Sequence, residues 1–180
     1  DLPSAEAALK ADERVLDRLR ATRNWFDWKS DYLAKFERAN ARLLQSRGKY
    51  EEAEAEQRKA IAGTDISIEA NPRLQYTTQS FLEARREELE MELAYLLIAQ
   101  NRLGEAEWHA RTAFQRTQKR VSGSSPEIID RLGPLIEILY VEGRFSESRA
   151  LTSVARAMLV ESGRKLSHHL QAPFSRKQSK

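Results

Sequence analysis

The side chains that most often carry metal or covalent chemistry are scarce in this chain. It holds three histidines, His109, His168 and His169, and no cysteine. No two histidines stand four apart, so the HExxH zinc motif is absent. Without cysteine neither a disulfide nor a thiolate metal site can form, and the compartment stays open. Glu105 and His109 do stand four apart, one helical turn, and could turn one face towards a metal. Two ligands make a weak site, and a surface ion pair is the simpler reading. His168 and His169 lie in a polar segment as solvated side chains. The serines of VSGSSP lack the G-x-S-x-G spacing and the preceding strand of a nucleophile elbow, and no glycine-rich loop is present to cradle a phosphate. The chain is therefore read as non-enzymatic, with no catalytic residue, no metal and no cofactor.

Charge narrows the partner. The formal net charge is +3 and the pI about 9.2, which invites a nucleic-acid reading. After Gly163, however, Arg164, Lys165, Arg176, Lys177 and Lys180 stand without an acid, and taking those five from +3 leaves −2 for the rest. A nucleic-acid domain carries its excess on a face of the fold; here it sits in a polar terminal segment, so no nucleic-acid partner is expected. The longest uncharged apolar stretch, LAYLLIA from Leu93, is far too short to cross a bilayer. No membrane partner is expected. The chain opens at Asp1 without a basic region and apolar core, so no signal peptide is read there, and a soluble domain of cytoplasm or periplasm is anticipated.

The most informative feature is a recurrence. GKYEEAEAEQRKAI from Gly48, NRLGEAEWHARTAF from Asn101 and GRFSESRALTSVAR from Gly143 align without gaps. Each has a turn residue, a bulky residue two later (Tyr50, Leu103, Phe145), a small one three after that (Ala53, Ala106, Ser148) and an alanine seven further on (Ala60, Ala113, Ala155). A unit that recurs in this way cannot bury its apolar face alone and stacks on its neighbours.

The pattern resembles the tetratricopeptide repeat, in which a helix A ends at Gly or Asn and a helix B carries the small residues of close approach. Asn101 to Gly143 is 42 residues, longer than the usual period of about 34, and is similar to the kinesin-light-chain variety also found in bacterial multidomain proteins. Ser125 to Leu159 fits that variety without a gap. Gly48 to Asn101 is 53 residues; the extra 11 either lengthen the helix before Asn101 or form the loop GTDISIEANPR. The resemblance implies an all-α, right-handed superhelical solenoid of about seven antiparallel helices. Its parts are a capping helix or half repeat over 1–23, repeats over about 24–63, 71–120 and 125–163, and a basic polar tail over 164–180, either disordered or the start of a further repeat.

Periodicity places the helices at about Ser4–Ala21, Asn24–Arg47, Tyr50–Ala62, Asn71–Gln100, Gly104–Arg120, from Ser125 through Pro126 and Glu127 onward, and Phe145–Ser162. Asn24 with Asp27 makes a capping box, and Trp25, Trp28, Tyr32, Phe36 and Leu43 form an aromatic stripe read as packing. Leu74, Thr78, Phe81, Leu82, Leu89, Leu93, Leu96 and Leu97 line the buried side of the fourth helix, and the intervening EARREELEME is read as a solvated face with spaced ion pairs. Pro134 after Gly133 removes a backbone hydrogen bond at a cost of about 3 kcal/mol in an ordinary helix, which predicts a kink. In the kinesin-like variety these two places often hold groove-facing asparagines, so here the chain departs from that chemistry.

In the family the concave surface is formed by helix A side chains away from the core. Spacing i, i+3, i+7, i+10 recovers that face: Lys35, Arg38, Arg42 and Gln45; Glu88, Met91, Tyr95 and Ile98; Asp130, Gly133, Glu137 and Tyr140. The resemblance therefore implies a scaffold that binds a protein or peptide through Lys35, Arg38, Arg42, Gln45, Met91, Tyr95, Ile98, Glu137 and Tyr140. The lining runs from basic through apolar to acidic, which suits a peptide with an acidic end and an apolar middle. The alternative is an assembly module, a homodimer paired through exposed end helices at the Trp25 and Trp28 face.

Overall fold

The computed structural model describes residues 28–69, 76–121, 123 and 125–162, with six positions near the start; the side chains at 28–31, 76, 77 and 162 are outside that description. Six helices and no strand are found among the described residues: α1 Trp28–Ser46, α2 Tyr50–Glu69, α3 Tyr76–Ala99, α4 Leu103–Arg120, α5 Pro126–Val141 and α6 Phe145–Ser162. The fold is all-α. Of the helix expected over Ser4–Ala21, the described positions Pro3, Ser4, Ala7, Lys10, Ala11 and Arg14 are helical and exposed. The Asn24 cap, Trp25, the Asn71–Pro72 start and the tail over 164–180 lie outside the described residues.

Three turns share one hydrogen-bond pattern. Lys49 N donates to Leu44 O at 3.0 Å, Arg102 N to Leu97 O at 2.9 Å and Arg144 N to Leu139 O at 2.8 Å. These bonds close helix C-termini around a left-handed residue, Gly48, Asn101 or Gly143, at φ +74°, +59° and +77°, a conformation that glycine and asparagine tolerate. Each turn reverses the chain within three residues, so that the two helices it joins lie side by side. Just beyond each turn a cation meets a carboxylate three residues on: Lys49 with Glu52 at 2.8 Å, Arg102 with Glu105 at 2.6 Å and Arg144 with Glu147 at 2.7 Å. Ala53, Ala106, Ala60, Ala113 and Ala155 are fully buried, as is Ser148 nearly so. Residues this small let the paired helices approach closely.

Packing follows chain order, α1 on α2 through to α5 on α6; α3 also touches α5, and α1 reaches α3 through the Arg38–Glu92 pair. The apolar interior is correspondingly a series of small clusters. Leu44, Ala53 and Leu96 form one and Ala34, Ala60 and Leu89 another. Leu93, Leu97, Ala106, Ala110, Leu135 and Ile138 join α3, α4 and α5, and Ile129, Leu132, Ile136, Ala155 and Leu159 join α5 to α6. Ion pairs run alongside. Glu54, six residues after Gly48, accepts from Arg102 at 2.6 Å, and Glu107, six after Asn101, from Arg144 at 3.5 Å. In the third unit that place holds Arg149.

Several expectations are corrected. The second helix of the first unit continues seven residues past Ala62 to Glu69, so GTDISIE is helix and not loop. Its weak formers are held by their surroundings: Thr64 and Ser67 are buried, each hydroxyl donating back along the helix to Ala60 O at 2.8 Å or Gly63 O at 2.9 Å, and Asp65 pairs with Arg86 of α3. Packing here outweighs propensity. Thr78 and Phe81 are exposed, and Arg85 lies 5.0 Å over the Phe81 ring. The acid-rich stretch of α3 is not a solvated face. Glu87 and Glu90 are 1% and 2% exposed, because α3 is flanked by α2, α4 and α5. Glu87 takes Arg120 at 2.7 Å and Thr117 Oγ1 at 2.7 Å. Glu90 pairs with Arg86 at 2.7 Å and with His109. His109 is thus buried against Glu90, and Glu105 turns instead to Arg102. The α5 helix begins at its Ser125 cap, whose Oγ accepts from Glu127 N at 3.4 Å, and runs through Pro134 to Val141.

Candidate functional site

A concavity of about 940 Å³ opens across α1, α2, α3 and α5. Ala41, Arg42 and Gln45 come from α1, Gln57 from α2, Glu88 to Ala99 positions from α3, and Asp130, Arg131 and Glu137 from α5. These elements meet because α3 packs on α2 and touches α5, while Arg38 and Arg42 of α1 reach Glu92 of α3. Met91, Tyr95 and Ile98 supply the apolar surface. Burial, followed by the nearby Glu137 and Asp130 carboxylates, pushes the Tyr95 phenol well up, so it stays neutral.

Six of the nine residues expected to bind a partner line this hollow: Arg42, Gln45, Met91, Tyr95, Ile98 and Glu137, together with Glu88 and Asp130 from the same spacing. Three do not. Lys35 is exposed on α1 outside the lining. Arg38 is spent on a clamp: its Nε donates to Glu92 Oε2 at 2.9 Å and its Nη2 to Glu92 Oε1 at 2.7 Å, and Nη2 also meets Glu88. Tyr140 stacks edge-on against Phe145, ring centroids 5.3 Å apart, at the α5–α6 turn. Gly133 is buried. On α5 a step of seven rotates a side chain by about −20°, whereas steps of three and ten rotate it by about −60° and −80°. Asp130 and Glu137 therefore share a face that Gly133 and Tyr140 leave.

The basic end of the expected gradient is also corrected. Arg38 and Arg42 both converge on Glu92, whose side chain is 17% exposed, and Gln57 Nε2 donates to its Oε2 at 3.1 Å. Burial works against the Glu92 charge, but the Arg38 hydrogen bonds and charge, joined by Arg42, hold its carboxyl below the usual range. Two cations, Arg42 and Arg131, face four carboxylates, Glu88, Glu92, Asp130 and Glu137, in the lining. Its sign is acidic.

Spacing missed Ala41, Gln57, Glu92, Leu96, Ala99 and Arg131 of the lining, and Arg131 is the most unusual of them. It is 6% exposed, its Nε has no hydrogen-bond partner, and its other nitrogens make long contacts to Met91 Sδ at 3.6 Å and Ala84 O at 3.5 Å. Burial lowers its pKa, against the pull of Glu87, Glu88 and Asp130. A sequence signal did exist: Arg131 stands three after Ile128 and four before Leu135, on the apolar stripe of α5. A second hollow of about 360 Å³ between α2, α3 and α4 is lined by charges of both signs, among them the Asp65–Arg86 and Glu87–Arg120 pairs. Among the described residues no group of three or more His, Asp or Glu side chains is placed to hold a metal, and no helix is long and apolar enough to cross a membrane. Comparison with known proteins finds no family model that matches the chain, and no curated protein that matches it.

Proposed function

We propose that the chain is a tetratricopeptide-like solenoid whose work is to hold a protein or peptide in the hollow across α1, α3 and α5, without catalysis of its own. The observation that carries this reading is the convergence of side chains from three alternate helices on one open concavity of about 940 Å³, with Met91, Tyr95 and Ile98 at its centre. Sites of this kind bind through a few aromatic and aliphatic anchors surrounded by polar groups. The three like turns and the neighbour-by-neighbour packing favour a stacked array, the architecture in which such surfaces arise.

The test is affinity capture from source-cell lysate with the wild-type chain and with a double variant, Arg42→Glu with Tyr95→Ala, checked for fold by circular dichroism. Arg42 is 61% exposed in its side chain, and Glu92 keeps Arg38 and Gln57 without it. Partners lost from the variant are the expected result. Equal recovery by both proteins moves the binding surface elsewhere. A mass in light scattering that doubles with concentration favours assembly, for which Val154 and Val160, 50% and 83% exposed on α6, are the observed apolar surface.

A further inference from the structure

Resting on the groove reading above, we propose that the occupant is a basic peptide segment, with Lys or Arg side chains set against Asp130 and Glu137 and an apolar side chain against Tyr95 and Met91. Three features of the lining carry this. The first is sign. The hollow is lined by four carboxylates and two cations. Arg42 is already committed to Glu92, and Arg38 to Glu92 and Glu88. With Arg38 counted, three cations stand against four carboxylates, and the sign agrees with the −2 that remains once the five cations after Gly163 are set aside.

The second is vacancy of a specific kind. Asp130 and Glu137 are half-buried, line the hollow, and have no ion-pair partner among the described residues. They stand seven apart on one helix face, about 10.5 Å along its axis. Basic residues three apart in a polyproline-like segment lie about 9 Å apart on the same side, close to that separation. Carboxylates facing a partly desolvated space are the complement of such cations. The third feature is Arg131, buried in the same lining with its Nε unpartnered and only long contacts elsewhere. A peptide passing over α5 brings backbone carbonyls, better acceptors than those that its Nη1 and Nη2 now reach at 3.6 and 3.5 Å. An acidic peptide would satisfy Arg131 but would set its own charges against Glu88, Asp130 and Glu137.

The experiment uses random dodecapeptides displayed on phage, selected on the immobilised full chain, with enriched sequences then measured as fluorescein-labelled peptides by anisotropy. Enriched peptides are expected to be basic and to lose binding to Tyr95→Ala. Asp130→Asn with Glu137→Gln, two near-isosteric changes, should weaken them about tenfold and flatten their salt dependence, the response of charge pairs at a partly exposed site. Acidic or neutral peptides that lose binding to Tyr95→Ala but ignore the Asp130→Asn/Glu137→Gln variant overturn the basic-ligand assignment and leave the groove standing. Selection that yields no peptide sensitive to Tyr95→Ala overturns the groove reading and this inference with it.

Discussion

Glu92 illustrates how single residues here resist the effect of burial. A carboxylate with a 17% exposed side chain should drift towards neutrality, yet Arg38, Arg42 and Gln57 all donate to it. Glu90, against His109 and Arg86, and Glu54, against Arg58, Gln100 and Arg102, are likewise held below the ordinary 4.5 despite burial. A carboxyl lowered on folding contributes stability that is complete above its unfolded value and is lost as the pH falls through the folded value. The melting temperature should therefore stay level from pH 7 to about 5 and fall steeply below about 4.5. Glu92→Gln should melt lower at pH 7 but lose less on acidification, and thermal scans by circular dichroism across that range check both. Removing one member of a buried pair costs about 3 kcal/mol because its partner stays buried. Glu90→Ala, which strands His109, should lower the midpoint by roughly 6–12 °C for a domain of this size, and Glu90→Gln by less.

At the scale of the helix pair, the close approach depends on the small residues after each turn. Ala106→Leu inserts three carbons where Ala106 is fully buried and should cost about 1–3 kcal/mol by overpacking, while Trp108→Ala, at a 61% exposed neighbour, should stay within about 0.5 kcal/mol. Gly143→Ala, at φ +77°, should cost about 1 kcal/mol. Urea denaturation measures all three. Much of this was legible beforehand, because turn glycines, buried alanines and the Ser125 cap are local signals that recur in register. The α6 helix, Phe145–Ser162, is found where the periodicity put it. What was not legible depends on neighbours. No local rule shows that Asp65 will meet Arg86 and carry α2 through GTDISIE, or that Glu87 and Glu90 will face α4. For the hollow, all four α3 positions from the spacing rule line it, though Glu92, Leu96 and Ala99 were missed, whereas on α5 only Asp130 and Glu137 do, since the rule ignores the slow rotation of the stripe around the helix.

For the whole molecule the chain-order packing sets how stability is shared. Each cluster is small and joins only two or three helices, so local opening is governed by the nearest interface. The α3 helix, with neighbours on several sides, should be the slowest to exchange its amide hydrogens. The α6 helix, packed mainly against α5, should exchange sooner, and hydrogen exchange read by mass spectrometry would separate the two. The ion-pair ladder adds a direction to the stack. Glu54 reaches forward to the turn cation Arg102, and Glu107 to Arg144, but the third unit offers Arg149 at that place. A copy cast from any of the three turns would present Lys or Arg to it, cation against cation. An acid set there would continue the ladder where a basic residue would oppose it, so one arginine gives the stack a preference of succession.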